Sequence, residues 1–128
     1  LVLSAQRPAK LVERVTRDTT ERSEVEAFVR AASKVWGNDD GVPVELGLIE
    51  ANPSLVVAWE LQLLDQRAAL AEAFAARRGA KSVGTRDQAN AAATLAVLMT
   101  MLLKWHGAGG GRKSLHKLLT KAFAALAA

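Results

Sequence analysis

The 128-residue chain has no cysteine. That absence removes disulfides, thiolate metal sites and thiol catalysis together, and it suits a reducing compartment. The chain also lacks a membrane-length apolar run. Its longest nearly unbroken stretch, Ala91 to Leu103, carries two threonines and falls short of the roughly 20 residues a spanning helix needs. No secretory signal pattern opens it, and it begins at Leu1 instead of Met, which suggests a fragment or a processed piece. These absences predict a cytoplasmic location and no membrane partner.

Charge of one sign is also scarce. Seventeen Lys and Arg stand against thirteen Asp and Glu, a net of +4, with both signs scattered along the chain. Nucleic-acid binding calls for a basic stripe beside groove-reading or aromatic residues. The nearest approach is Lys113, Lys117 and Lys121, spaced by four, and a solvated helix face explains that row.

Catalytic constellations are missing as well. His106 and His116 sit ten residues apart across a glycine turn, with no Glu-x-x-His or His-Glu-x-x-His spacing to build a metal site. No Gly-x-Ser-x-Gly elbow occurs. The run Gly107 to Ser114 echoes a phosphate loop only superficially: a helical pattern precedes it instead of a strand, and Arg112 separates Gly111 from Lys113. Asp39-Asp40 reads as part of a turn. The expectation is a non-enzyme with no metal and no cofactor.

What is present is helix. Half the residues are apolar and 23% are charged, which excludes disorder, and the length suits one domain burying about two-thirds of its unfolded surface. Leu1 to about Arg17 places Ala5, Leu11, Val12 and Val15 on one side, with Pro8 as a start or kink. Ser23 with Glu26 forms a capping box ahead of the stripe Val25, Phe28, Val29, Ala32, Val35, Trp36, which Gly37 ends. Asn38 to Gly41 is a turn, and Pro43 opens a short helix to about Ala51. Asn52-Pro53 starts a long helix reaching Arg78, closed by Gly79. Thr85 with Gln88 suggests another capping box before a helix to His106. Ser114 or a neighbour before it caps a last helix to Leu126. No convincing period-two alternation appears. The fold class is all-α, a bundle of about six helices.

Two helices carry more apolar surface than one face requires. In the Ala91–Leu103 helix, Thr94, Leu98, Met101 and Trp105 share one face, while Ala92, Ala96, Met99 and Leu103 lie roughly opposite. In the last helix Leu115, Leu118, Leu119, Ala122 and Leu126 form an inner face, flanked by a stripe of His116, Thr120, Phe123 and Ala127. Two adjacent helices with spare semi-apolar faces predict a homodimer with a four-helix interface, its candidates being Ala92, Ala96, Met99, Leu103, His116, Thr120, Phe123 and Ala127.

Large side chains from three helices can converge: Phe28 and Trp36, Trp59 and Leu63, and Thr94, Leu98 and Met101. They form either ordinary core or the wall of an apolar cavity for a small-molecule effector, with the Thr94 hydroxyl as a polar handle. Glu60, amid Val56, Val57, Trp59 and Leu61, is either turned to solvent or half-buried, with an Arg partner expected in the second case.

In order and spacing, several segments resemble the C-terminal effector-binding and dimerisation domain of TetR/AcrR-type transcriptional regulators. They are Leu48-Ile49 followed by Pro53-x-Leu55, Leu70-Ala71 through Phe74-Ala75 to Arg77-Arg78-Gly79, and the alanine-rich helix ending Trp105-His106-Gly107. The glycine turn and the Leu115, Leu118-Leu119, Ala122, Leu126 series complete the set. The resemblance spans nearly the whole chain and implies one regulatory domain over 1–128, with 1–17 as the connecting helix. Leu1-Val2-Leu3 resembles the segment just after the family's helix-turn-helix unit. That unit is absent here, so DNA would be contacted only through a part outside this sequence. The last two helices would form the dimer, and an effector among the preceding helices would tilt the connecting helices and reset the half-site spacing of about 34 Å. The Ala and Arg content resembles actinobacterial members, some linked to acyl-CoA sensing, so an acyl-CoA-like or other apolar effector is implied. A repressor is the implied role. The other reading of the residues is a helical protein–protein interaction module with a solid core and no ligand pocket.

Overall fold

The computed structural model describes residues 6–20, 23–39, 41–109 and 114–127. Among them the chain forms seven helices and no strand: α1 (Gln6–Arg17), α2 (Glu24–Gly37), α3 (Val42–Glu50), α4 (Pro53–Leu64), α5 (Arg67–Arg77), α6 (Thr85–Gly107) and α7 (Leu115–Ala127). The all-α expectation of about six helices holds, with the long helix expected from Pro53 to Arg78 bent into α4 and α5.

No glycine or proline stands at that bend. Asp65 and Gln66 stay right-handed, but ψ rises from −22° to 0°, and the Gln66 N–H donates to Leu63 O at 3.1 Å, an i−3 bond that tightens the turn. The bend sends Trp59 and Leu63 into the core beside α3 and α6, while Leu70 and Phe74 are buried on a helix that packs on α1 and α6. Packing, not a breaker residue, sets it.

Elsewhere the local signals act in the expected places, the Ser23–Glu26 capping box through its serine half alone. The Ser23 hydroxyl accepts from the Glu26 N–H at 3.2 Å, and the Ser114 hydroxyl accepts from the Lys117 N–H at 3.2 Å. Gly79 closes α5 at φ +70°. There the Ala80 N–H donates to Ala75 O and the Gly79 N–H to Ala76 O, both at 3.0 Å, the paired bonds of a Schellman ending. The start of α6 departs from expectation. Gly84 is its N-cap, and Asp87, not Gln88, accepts the Gly84 N–H, at 2.9 Å. An ionised carboxylate three residues into the helix serves that amide and an arginine at once, whereas Gln88 points into solvent.

Helix α2 lies between α1 and α7, α5 lies between α1 and α6, and α6 also touches α3, α4 and α7. One core joins them. Leu11 and Val15 meet Phe28, Trp36, Leu46, Ile49, Trp59, Leu63, Leu70 and Phe74, and α6 contributes Leu95, Leu98, Leu102 and Trp105. One inner-face expectation fails: Leu126 is 68% exposed. It keeps the register of Leu115 and Leu119, but among the described residues no helix closes over the last turn of α7. Among the described residues no helix is long and apolar enough to cross a membrane.

Candidate functional site

The residues proposed to touch an effector are divided by the fold. Phe28, Trp36, Trp59, Leu63 and Leu98 are all buried in the shared core. Thr94 is also buried, and its hydroxyl donates to the carbonyls of Asn90 at 2.7 Å and Ala91 at 3.2 Å, so only its lone pairs remain for a ligand. Thr94 borders a groove of about 880 Å³ between α2, α6 and α7, whose walls include Val25, Val29, Phe123 and Leu126 with Arg30 and His116. Met101 instead borders a groove of about 480 Å³ on the other side of α7, with Val97, Leu118, Ala122 and Leu126. Glu60 is half-buried, and the arginine partner expected for it is not among the ion pairs of the described residues.

The residues proposed for the dimer fall on two flanks of the α6–α7 pair. On α6, Met99 and Leu103 share the side of His106, which faces Gly47 of α3, and Ala92 borders a groove against α5. On α7, His116, Thr120, Phe123 and Ala127 face the groove beside α2. Phe123 meets Phe28 edge-on, with ring centroids 6.2 Å apart and planes at 82°, which ties one dimer candidate to one effector candidate within the same chain. Between the flanks α6 presents an exposed ridge of small residues, Ala89, Ala93, Ala96 and Thr100, and α7 presents Lys117, Lys121, Ala124 and Ala125. Of the proposed α6 residues, only Ala96 lies on that ridge.

Three arginines fasten the helices in ways that sequence patterns do not reveal. Arg7 near the start of α1 reaches Asp39 at 2.9 Å and Glu45 of α3. The Asp39 carboxyl is held below its ordinary value, first by the Gly41 N–H and then by Arg7. Arg77 closes the far end of α1, donating to the backbone carbonyls of Asp18 and, at 3.4 Å, Thr20, with the Asp18 carboxylate 3.7 Å away. Arg78 grips Asp87 with two parallel bonds of 2.9 and 2.5 Å. This holds the fully buried Asp87 carboxyl below its ordinary value, with the Gly84 N–H as the second cause. Helix α5 therefore ends in two adjacent side chains, one tied to α1 and the other to α6. In sequence Arg77 and Arg78 look only like cations complementing the C-terminal end of a helix dipole. A contact 59 residues away leaves no local trace.

Other sequence features resolve simply. Lys117 and Lys121 are exposed, whereas Lys113 and Asp40 lie outside the described residues, as do Leu1 to Ala5. No group of metal-ligating side chains occurs among the described residues. Val44, Leu48, Val57 and Leu61 leave a second set of large apolar side chains exposed, on α3 and α4.

The domain is all-helical among the described residues, with a long helix, α6, a terminal helix packed beside it and grooves along both. The family model described as the MftR C-terminal domain, a TetR-type domain, matches residues 25–128, from α2 to the end of the chain, and the protein belongs to that family. Comparisons with curated proteins and with solved structures found no match.

Proposed function

We propose that this chain is the effector-binding and homodimerisation domain of a transcriptional regulator, a repressor in the simplest case. A small, largely apolar molecule would alter DNA binding by a helix-turn-helix part outside this sequence. The observation that carries this reading is the unfilled outer surface of α6 and α7: an exposed ridge of Ala89, Ala93, Ala96 and Thr100 beside the uncovered Leu126. Small residues permit close helix approach, and a two-fold axis would let each copy cover the other. The apolar groove containing Val25, Val29, Phe123 and Thr94 is the better supported effector position, because the deeper candidates already pack against one another. Helix α1 serves as the connecting helix. Its clamps to α3 by Arg7 and to α5 by Arg77 would carry a shift of the bundle toward the DNA-reading part.

The same packed core also supports a second reading, a helical interaction module with no ligand. Sedimentation at high micromolar concentration separates the possibilities in part. A particle of twice the 13.6 kDa chain mass is expected, and a strict monomer overturns the dimer. Native mass spectrometry and thermal shifts with apolar ligands decide the rest. No retained molecule and no shift would favour the interaction module.

A further inference from the structure

We propose that the cleft between α1 and α2 binds a small linear polyphosphate, a molecule carrying two or more phosphate groups in a row. This site shares only Arg30 with the groove between α2, α6 and α7, and it stands whether or not the domain takes an apolar effector.

Lys10, Arg14 and Arg17 succeed one another at i, i+4 and i+7 on α1, and Arg30 and Lys34 at i, i+4 on α2. Both rows line one concavity of about 550 Å³. Among the described residues only two carboxylates border it, and both are engaged: Glu13 with Arg17 at 2.8 Å, and Asp18 with Arg77 at 3.7 Å. No ion pair occupies Lys10, Arg14, Arg30 or Lys34 among the described residues. Among the described residues, five cations against two carboxylates give this cleft an excess of three positive charges. Like charges facing each other across a cleft repel, and a bound anion turns that cost into attraction.

Shape narrows the choice of anion. The buried Ala27 and Ala31 of α2 keep the cleft open at its floor. The row from Lys10 to Arg17 rises about 10 Å along α1, longer than one phosphate can contact at once. Packed helices sit about 8–10 Å apart, so the cleft is too narrow to admit a nucleic-acid duplex. A chain of phosphates lying along α1 would bridge both rows and hold α1 against α2.

The probes are inorganic tripolyphosphate, orthophosphate and a short DNA duplex, titrated calorimetrically at matched ionic strength. Tripolyphosphate should bind at least tenfold more tightly than orthophosphate. Arg14→Glu/Arg30→Glu should weaken it at least tenfold with an unchanged melting temperature, since both side chains are exposed. Arg14→Gln/Arg30→Gln, which adds no carboxylate, should give a smaller loss in the same direction. Lys117→Glu/Lys121→Glu on α7 should leave binding within twofold. The proposal is overturned if tripolyphosphate binds no better than orthophosphate, if the α7 pair matters as much as the cleft pair, or if the duplex outcompetes tripolyphosphate.

Discussion

Leu126 offers the sharpest test of how two copies meet. It is 68% exposed in the single chain, although it keeps the inward register of α7. Burying a leucine side chain fully is worth about 1.5–3 kcal/mol, so the uncovered share represents about 1–2 kcal/mol per copy. A two-fold interface counts it twice, about 2–4 kcal/mol, of which truncation to alanine forfeits most. Leu126→Ala should therefore raise the dimer Kd about 10–150-fold. It should leave monomer stability nearly untouched, because the side chain contributes little to the monomer core. Sedimentation equilibrium over a range of loading concentrations reads the first quantity, and urea unfolding below the dimer Kd reads the second. A Leu126→Ala protein that dimerises as tightly as its parent would show that this end of α7 lies outside the contact. The argument from uncovered apolar surface would then fail. A large loss of monomer stability would refute it too, by showing that the chain already covers this side chain.

The remaining predictions concern the clamps and the core. Arg77→Ala leaves the carbonyls of Asp18 and Thr20 and the poorly exposed Asp18 carboxylate without their guanidinium. It should cost about 2–4 kcal/mol in urea unfolding and speed hydrogen exchange at the end of α1; unchanged exchange there would contradict the clamp. The Asp87 carboxyl is depressed chiefly by Arg78. Its contribution is therefore complete above the unfolded-state value of about 3.9 and fades as pH falls through the lower folded value. Asp87→Asn should be less stable than the parent at neutral pH and should lose less on acidification below about pH 4, as measured by urea midpoints; parallel acid limbs would refute this assignment. Phe28→Ala should cost about 3–5 kcal/mol by thermal or urea unfolding, because Phe28 is fully buried and bears on Phe123. A tolerated substitution would mean that Phe28 borders a cavity.

Much of the helix layout was legible because its determinants are local. Ser23 and Ser114 cap the amides three residues on, and Gly79 takes the left-handed conformation that ends α5. The stripe from Phe28 to Trp36 needs only its 3.6-residue period to reveal the buried face of α2. The register of α6 was equally readable, since Leu98 and Trp105 recur where a central helix must be apolar. Such signals act within a turn or two, and a one-dimensional string contains them complete.

Only the tertiary structure decided the rest. The bend at Asp65-Gln66 has no residue to announce it and arises from α4 packing on α3 while α5 packs on α1. Whether Trp59 and Leu98 border a cavity or fill a core depends on what opposes them, which periodicity does not encode. Arg77, Arg78 and the five cations of the α1–α2 cleft gained their partners or their isolation from neighbours distant in sequence. A helix wheel states which way a side chain points. What it meets there is set by the other helices, and for Leu126 that meeting place is open solvent.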